Sequence, residues 1–400
     1  MSEESDKRVE SLRGKAAISG IGETEIGRVP DKNSMDLHLE AAQLALRDAG
    51  ITKDDLDAVI TCGSMVEYNP RHHVTFAEYL GVPIRRLNET GMTGGTSVNS
   101  GIRLAAMAIA AGQCTTALVV SADNLLSGLS RDGAVGHLAQ YHNAEFELPY
   151  GPLIISFYAL VARRFMEQFG WTSEQLAQVS VSTRKNAQKN PKAQMRDPIT
   201  IQDVVTSKMV TSPLRLLDCA VISDGGGAIV VTSAERAADG PNTPIYILGT
   251  GSAYSHYYIW GLPNHTSFLT DLIAESGRAA YEMAGLGPSD MDVVMVPDAV
   301  SPSVPIQLEA FGFCERGEGA SFVQGGRIEI GGELPVNTHG GCLSAVHPGN
   351  PAQIFHLIEA VRQLRCIAGE RQVPNARVAL SHGAAGVYTS NCTLILSNER

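Results

Sequence analysis

The stretch LALRDAGITKDDLDAVITCGS, residues 44–64, decides the fold, because its pattern returns without gaps at residues 279–299 as AAYEMAGLGPSDMDVVMVPDA. Both copies run from a helix through Ala-Gly and a short polar turn to an aspartate and a β-branched strand. Alternation of helices and strands favours an α/β layered fold. A repeated helix–strand unit further predicts that the chain contains two similar halves.

A second pair of segments follows the same scheme. Residues 91–124 hold a glycine-rich turn, an alanine-rich helix and the strand TTALVVSAD. Residues 339–386 repeat that order with the turn HGGCLSAVHPG, a long helix and the strand ARVAL. We predict a flexible N-terminus at residues 1–14, then two α/β halves at residues 15–240 and 241–400. A helical insertion interrupts the first half at about residues 125–215.

Composition and charge narrow the class of protein. Hydrophobic residues make up 44% of the chain and charged residues 18%, which is typical of a globular protein with a sizeable core. The net charge of −11 argues against non-specific binding to nucleic acid or to an anionic membrane. The basic stretch from Arg184 to Lys192 remains as the best positive patch, either a solvated helix end or a contact with a phosphorylated cofactor.

The cysteines and the hydropathy pattern predict the compartment. The seven cysteines are scattered without a CxxC pair, which indicates a reducing compartment and no zinc site. No run approaches the roughly 18 apolar residues of a membrane span. The polar N-terminal residues do not resemble a signal peptide. We therefore expect a cytoplasmic protein with no membrane span.

Three segments resemble thiolases, and one of them is residues 308–337, LEAFGFCERGEGASFVQGGRIEIGGELPVN. Residues 335–365, PVNTHGGCLSAVHPGNPAQIFHLIEAVRQLR, resemble the C-terminal signature of that superfamily. Residues 216–237, LLDCAVISDGGGAIVVTSAERA, resemble the glycine-rich strand region that closes the N-terminal half. The similarity runs from about residue 15 to 398 and is greatest to the sterol-carrier-protein type and its bacterial lipid-transfer relatives. It implies a duplicated thiolase fold, layered α-β-α-β-α, with an inserted loop domain.

The resemblance also implies where an active site would lie. A thiolase carries its nucleophilic cysteine at the N-terminus of a buried helix, and that position here is Gly95, which has no side chain to acylate. A His-Asp-Cys-Phe motif is replaced by PDAV, which keeps only Asp298. The His-Pro pair is retained at His347, and the last loop reads SHGAAG, with His382 and Gly383. Two of the four expected elements have therefore lost their chemistry.

Four residues are candidates for catalysis. His347 is either an acid–base residue of the ancestral site or a structural histidine of its turn. Asp298 is either a base with a raised pKa or a cap for the following turn. His382 either contacts substrate or packs its loop. Tyr254 either moves a proton to or from a substrate hydroxyl or lines an apolar pocket.

The glycine-rich turn is the candidate oxyanion site. Backbone N–H groups at a helix N-terminus can polarise a carbonyl without a side chain, which nominates Gly95, Thr96 and Ser97, with Gly383 from the last loop. Ser97 alternatively caps the helix or replaces the missing nucleophile. Cys342, the cysteine inside the His-Pro signature, is interpreted as small core packing rather than as a nucleophile.

Five further residues are candidates for contact with the substrate or its coenzyme A. They are His339, Gly340, Gly341, Tyr150 and Tyr257. His339 alternatively only braces the paired glycines. The expected substrate is a coenzyme A thioester, with no covalently bound cofactor and no metal.

The missing cysteine and the retained His-Pro pair favour a retro-aldol cleavage of a β-hydroxyacyl-CoA with a bulky acyl group, such as a steroid, an aromatic acid or a lipid. Cleavage of that kind needs no cysteine nucleophile. Because no lysine lies in these motifs, a Schiff-base aldolase is not indicated. An acyltransferase with a substituted nucleophile and a non-catalytic subunit that binds CoA esters or lipids remain alternatives. The resemblance implies a homodimer, and a small OB-fold/zinc-ribbon partner completing a hetero-tetramer.

Overall fold

Strands from both halves of the repeat join in one mixed sheet. The structure, a computed structural model, describes residues 12–91, 93–130, 133, 136, 143–151, 153–255 and 267–400. The strands in these ranges are β1 (Ala16–Glu23), β2 (Ala58–Cys62), β3 (Leu87–Gly91), β4 (Thr116–Asp123), β5 (Met209–Thr211), β6 (Leu214–Arg215), β7 (Gly225–Ser233), β8 (Ile245–Tyr254), β9 (Val293–Met295), β10 (Val378–Ala385) and β11 (Ser390–Ser397). Nine of these described strands pair in the order β3-β2-β4-β7-β1-β8-β11-β10-β9, and β5 and β6 form a separate hairpin.

Helices cover both faces of this sheet. The helices in the described ranges are α1 (Ser34–Ala49), α2 (His72–Leu80), α3 (Ser97–Ala110), α4 (Leu125–Gly128), α5 (Ile154–Phe169), α6 (Ser173–Gln188), α7 (Ile201–Thr206), α8 (Ala234–Ala238), α9 (Ser267–Ala284), α10 (Ser303–Ala310), α11 (Gly319–Phe322) and α12 (Ala352–Leu364). None of these helices is long and apolar enough to cross a membrane.

The predicted duplication is confirmed element by element. β1, β2, β4 and β7 of the first half correspond to β8, β9, β10 and β11 of the second, and the two sets run in mirrored order from the β1–β8 contact. Helix α1 ends at Ala49 before the left-handed Gly50, and α9 ends at Ala284 before the left-handed Gly285. The short 3₁₀ turns Lys53–Asp55 and Pro288–Asp290 also occupy matching places in the two copies.

Paired glycines explain why each half packs its outer helix so closely. A Cβ on Gly20 or Gly22 of β1 would stand 2.4 Å from a carbonyl oxygen of α1. A Cβ on Gly249 or Gly251 of β8 would stand 2.0 Å from a carbonyl oxygen of α9. Any larger residue at these positions would therefore push the helix off the strand. Both halves use the same device, as expected of a duplication.

The long helices produce the predicted α-β-α-β-α order. Helix α1 packs on β1, β4 and β7, whereas α9 packs on β8 and β11. Helices α3 and α12 contact each other and also strands of both halves, so they form the central layer. The glycine-rich turn before α3 and the His-Pro turn before α12 are therefore brought to the same region of the core.

The insertion supplies helices that are anchored by the basic stretch. Arg184, on α6, is buried and donates hydrogen bonds to the Ser344 hydroxyl and to the Asp197 carbonyl, at 2.9 Å each. Lys185 pairs with Glu329 at 2.9 Å. These cations of the predicted patch have structural partners within the chain.

Two buried histidines lie together beneath α1 and α2 and predict acid sensitivity. His38 donates from Nδ1 to the Ser34 carbonyl and accepts the Ala122 N–H at Nε2, so its ring is neutral. The His72 ring lies 4.6 Å from it, centroid to centroid. Burial lowers the pKa of His38 to about 4 and, helped by His38 and His73, that of His72 to about 3.

We expect the free energy of unfolding to fall as the pH drops below the ordinary histidine pKa of 6.5. The unfolded chain then takes up protons that the native protein refuses, at about 1.4 kcal/mol per pH unit for each such histidine. The loss ends once the pH falls below the native pKa values. Urea unfolding measured across this range tests the slope, and replacement of His38 by asparagine makes the slope shallower. An unchanged slope in that variant would contradict the assignment.

Candidate active site

A mostly apolar cavity of about 240 Å³ lies between the ends of the two central helices. The turn before α3 lines it with Gly94 and Gly95, and the end of β10 lines it with residues 384–386. Five polar side chains also face it: Tyr158, Cys342, His347, Asn350 and Gln353. The apolar part of the lining includes Met65, Ile154, Pro297, Ala299 and Ala352. The cavity thus unites the two glycine-rich turns that the sequence repeat predicts to be equivalent.

Gly95 lies in the cavity wall with no room for a side chain. It belongs to a 3₁₀ turn, Gly94–Thr96, which runs directly into α3. A Cβ on Gly95 would stand 2.4 Å from the carbonyl oxygen of Ala384, a distance that real Cβ atoms do not show. The neighbouring Gly94 has a φ of 66° and would place its Cβ 2.9 Å from that of Ala385. The backbone at the end of β10 therefore fills the place of a nucleophile.

His347 reaches the cavity from the turn before α12. Its backbone N–H donates to the Ser223 hydroxyl at 3.1 Å, and that hydroxyl donates to the Gln194 side chain at 2.6 Å. Burial lowers the pKa of His347, although the nearby Asp298 opposes that effect. A neutral imidazole in an apolar cavity can accept a proton from a substrate hydroxyl.

Sequence reasoning missed two amides that follow His347 in the chain, Asn350 in the turn and Gln353 at the start of α12. Asn350 and Gln353 are buried, with 8% and 4% of their surface exposed, yet both face the cavity. The amide nitrogen of Gln353 lies 3.9 Å from where a Cβ of Gly95 would stand. Its Oε1 has no hydrogen-bond partner among the described residues. An unpartnered amide oxygen is available to accept a hydrogen bond from a substrate hydroxyl, and the amide nitrogen can donate to a substrate oxygen.

Tyr158, on α5, is the tyrosine of the cavity. Its ring meets that of Tyr388 edge-on at 5.7 Å, and the Tyr388 hydroxyl donates to the Ser303 hydroxyl at 2.6 Å. Burial, with a smaller effect from Cys342, raises the pKa of the Tyr158 phenol. The phenol therefore stays protonated and can act as a hydrogen-bond donor. The candidates from the sequence lay on loops, whereas this residue comes from one face of a helix in the insertion.

None of the cysteines with a perturbed pKa is activated. Burial raises the pKa of Cys62, Cys219 and Cys314 to about 12. Cys342 is the cysteine that lines the cavity, and burial together with Asp298 raises its pKa well above the usual value. Its position corrects the interpretation of Cys342 as plain core packing, but its thiol is not a thiolate nucleophile.

Asp298 lies one layer behind the cavity wall, not in it. Its carboxylate accepts the backbone N–H groups of Cys342 at 2.7 Å and of Leu343 at 3.2 Å. These groups begin a single π-helical turn, Gly341–Ala345. Asp298 thus caps this turn, which is the structural one of the two roles considered for it, and it is fully buried.

Tyr254 and His382 do not lie in the cavity wall, contrary to the catalytic prediction. Tyr254 ends β8 with 52% of its surface exposed. His382 is buried on β10, where Nδ1 lies 2.9 Å from the Thr393 hydroxyl and the ring meets Phe311 edge-on. Burial lowers the pKa of His382 to about 3. Ala384 and Ala385 at the end of β10 line the cavity, whereas His382 lies further back along the strand and does not.

The paired glycines and His339 have structural surroundings rather than cavity contacts. Gly340 has a φ of 104°, and its Cβ would stand 2.6 Å from that of Ala187. Gly341 has a φ of 57°, and its Cβ would strike the Asp298 carboxylate. The His339 ring packs edge-on against His356, with the centroids 4.7 Å apart. None of the three is among the residues that line the cavity, so their contact with the substrate stays a prediction.

The remaining candidates lie beside Gly95. Thr96 is buried, donates to the Thr93 carbonyl at 2.7 Å and lies 3.0 Å from the Ser390 hydroxyl. Ser97 is the first residue of α3 rather than its cap, and its hydroxyl accepts the Thr93 N–H at 3.0 Å. A Cβ on Gly383 would stand 3.2 Å from the Gly95 carbonyl, so Gly383 is needed for close packing.

The structure does not describe the side chains of two of the predicted site tyrosines. Tyr150 ends a 3₁₀ turn, Leu148–Tyr150, but its side chain lies outside what the structure describes. Tyr257 lies outside the described residues, as do residues 1–11 of the predicted flexible N-terminus.

Two equivalent helices that meet at a shared cavity define the architecture of the thiolase class. The comparisons agree: residues 15–235 match the family described as "Thiolase, N-terminal domain", and residues 251–398 match "Thiolase C-terminal domain-like". The chain belongs to the thiolase family.

Three relatives illustrate the range of this family. The chain is 35% identical to the steroid side-chain-cleaving aldolase of Thermomonospora curvata, covering 97% of this chain and 99% of that protein. It is 34% identical to an acetyl-CoA acetyltransferase of Methanothermobacter thermautotrophicus, covering 92% and 96% respectively. The solved structure of the Ltp2-ChsH2(DUF35) aldolase superposes with a TM-score of 0.86 at 34% identity, over 97% of this chain and 99% of that one.

Proposed function

We propose that this protein cleaves a carbon–carbon bond of a β-hydroxyacyl-CoA by a retro-aldol reaction. The observation that carries the proposal is the closed backbone at Gly95, 2.4 Å from the Ala384 carbonyl at the Cβ position, beside a neutral His347 in the same cavity. A side chain at position 95 that could carry an acyl group has no space there. Abstraction of a proton from a substrate hydroxyl needs no such side chain.

The chemistry assigns a role to three of the groups at the cavity. His347 accepts the proton of the β-hydroxyl, and the bond between the α- and β-carbons breaks to leave a ketone or aldehyde. The electron pair of that bond passes to the thioester as an enolate. The Gln353 amide and the N-terminus of α3 stabilise the enolate oxygen. The proton held by His347 then returns to the α-carbon and gives the shorter acyl-CoA.

The cavity supports a bulky, apolar acyl group. Met65, Ile154, Pro297 and Ala299 present hydrocarbon to it. Two of the similar proteins are named as aldolases, and one of those names specifies steroid side chains. A steroid-like or aromatic acyl-CoA is therefore the first substrate class to test. The coenzyme A thioester is substrate, and the proposed steps use no covalently bound cofactor.

The decisive experiment is product analysis. The protein is incubated with β-hydroxyacyl-CoA esters carrying steroid, aromatic or branched acyl groups, and the products are read by mass spectrometry. We expect a shorter acyl-CoA and a ketone or aldehyde in equal amounts. An acylated protein, with Cys342 as the acyl carrier in the cavity, would instead favour acyl transfer, as the name of the archaeal relative suggests. Binding of the ester without any product would favour a non-catalytic subunit.

The assembly and location belong to the same proposal. The structural relative is a complex with a DUF35 subunit, which supports a second, small OB-fold/zinc-ribbon subunit for this chain as well. We infer a homodimer that binds two such subunits and acts in the cytoplasm. Co-expression of the two chains followed by light scattering tests the assembly, and the product assay is run both with and without the partner.

Replacement of Tyr158 by phenylalanine should lower kcat by about tenfold to a hundredfold, because one hydrogen bond to a charged or developing oxyanion is lost. The apolar surface of the ring is kept, so KM should change little. Tyr388→Phe is the matched control, since that phenol bonds Ser303 and does not line the cavity. Equal losses of kcat in the two variants would show that Tyr158 has only a packing role.

A further inference from the structure

A second group of polar side chains lies directly behind the cavity wall. Asp298 follows β9, Cys342 lies in the π-helical turn, and His356 lies in α12; their exposed fractions are 0%, 1% and 0%. A carboxylate oxygen, the sulfur and an imidazole nitrogen of these residues all lie within 4.8 Å of one another. Carboxylate, thiolate and imidazole are the ligand types that bind Zn²⁺ in proteins.

The orientation of His356 directs one ring nitrogen, which has no hydrogen-bond partner in the described part of the chain, toward Asp298 and Cys342. Its Nδ1 lies 3.2 Å from the Ala352 carbonyl oxygen and donates to it, so Nε2 is the nitrogen that remains for a metal. That Nε2 has no hydrogen-bond partner among the described residues, and it faces Oδ1 of Asp298 at 3.4 Å. A cation between these two buried atoms would bind both of them and offset the cost of burying the carboxylate.

The separation of these atoms fits a shared metal better than a direct bond. Ligands at about 2.0–2.1 Å from a tetrahedral Zn²⁺ are about 3.3 Å apart, close to the 3.4 Å between Nε2 and Oδ1. A charge-assisted hydrogen bond would be shorter, at about 2.7–2.9 Å. The sulfur would complete the same geometry at about 3.6 Å from the nitrogen, which is inside the limit set by the observed cluster.

The charges also balance. An ionised Asp298 and a Cys342 thiolate carry two negative charges, which one divalent cation neutralises in the core. In the part of the chain that the structure describes, Asp298 forms no ion pair with a lysine or arginine. Its other contacts are the two backbone N–H groups of the π-helical turn and the Cys342 thiol, which binding of a metal would deprotonate.

We propose that Asp298, Cys342 and His356 form a binding site for a divalent cation of the zinc class. Binding breaks the S–H bond of Cys342, forms a sulfur–metal bond and releases the proton to solvent. Three protein ligands leave a fourth position, and the cavity side is the open one because Cys342 forms part of the cavity wall. This site runs against the expectation drawn from the scattered cysteines, since its ligands come from three distant segments.

The test uses the full-length protein, freed of metal by a chelator, and Co²⁺ as a spectroscopic substitute for Zn²⁺. We expect the near-ultraviolet absorption of a cobalt–thiolate bond, its removal by added Zn²⁺ and a higher Tm with either metal. Cys342→Ser should abolish the absorption, and His356→Gln should weaken Co²⁺ binding by about tenfold to a hundredfold or more. Cys392→Ser is the matched control, because that thiol is equally buried but lies outside the cluster.

Absence of the cobalt–thiolate absorption in the wild-type protein would overturn the proposal, as would its persistence in Cys342→Ser. A variant that does not fold leaves two independent readouts: the wild-type titration, and elemental analysis for stoichiometric zinc in protein purified without chelator. No readout depends on lyase activity, so failure of the proposed reaction and failure of this site are distinguished.

Discussion

Replacement of His347 by alanine should lower kcat by about a hundredfold to ten-thousandfold, the usual contribution of a positioned general base. In the proposed reaction this imidazole accepts the hydroxyl proton, and no other histidine lines the described part of the cavity. Substrate binding relies on the apolar wall and the amides, so KM should change far less than kcat. Steady-state kinetics with the acyl-CoA identified by product analysis measures both constants.

The pH profile of kcat/KM gives an independent reading of the same residue. Burial lowers the pKa of His347, so the base form persists below the ordinary value of 6.5. Activity should fall on the acid side with a midpoint below that pH, because the protonated ring cannot accept the hydroxyl proton. A profile governed by a group that titrates above neutrality would assign the base to a different residue.

His382 supplies the matched control for His347. Both are histidines retained in family-like motifs, but His382 packs against Phe311 and Thr393 away from the cavity. His382→Ala should lower Tm through the space left in the core and keep kcat near the wild-type value. A His347→Ala protein with normal kcat, or a His382→Ala protein that folds normally without activity, would exchange the roles assigned to them.

The fold was predictable because the repeat consists of local sequence patterns. In residues 44–64 and 279–299, the helix, the Ala-Gly turn and the β-branched strand can each be predicted from the local sequence. The matching glycines Gly50 and Gly285 end the two helices. Duplication then follows without any knowledge of tertiary contacts. The candidates Gly95 and His347, in the turns before α3 and α12, follow from the resemblance to thiolase motifs rather than from the repeat.

The rest of the site depends on where each side chain lies in the packed core, which a single sequence does not reveal. His382 and Ala384 are two residues apart on β10 and share a face, yet only Ala384, near the end of the strand, lies in the cavity wall. Tyr158 and Gln353 reach the cavity from helices whose orientation is set by distant packing. The cluster of Asp298, Cys342 and His356 has no recognisable sequence motif, because its members come together only in the folded core.

Gly95 explains why the ancestral chemistry cannot be restored by one substitution. In Gly95→Cys, the new Cβ would stand 2.4 Å from the Ala384 carbonyl, so the end of β10 or the start of α3 must move. Strain of this kind costs about 1–3 kcal/mol. The same movement displaces Gly94, Ala385 and the start of α3 from the cavity wall, so lyase activity should fall with stability.

We therefore expect Gly95→Cys to unfold at a lower urea concentration, to lose most of its lyase activity and to form no acyl-enzyme with acyl-CoA. Gly95→Ala separates the two effects, because it adds the Cβ without the thiol and should lose nearly as much stability. Gly287→Cys is the control for a new thiol, since the nearest atom to its Cβ is a carboxylate oxygen of Asp290 at 3.9 Å. A Gly95→Cys protein that keeps wild-type stability and accumulates a thioester on residue 95 would show that the Ala384 carbonyl yields readily. In that case the missing cysteine, rather than the closed backbone, would be what separates this chain from an acyltransferase.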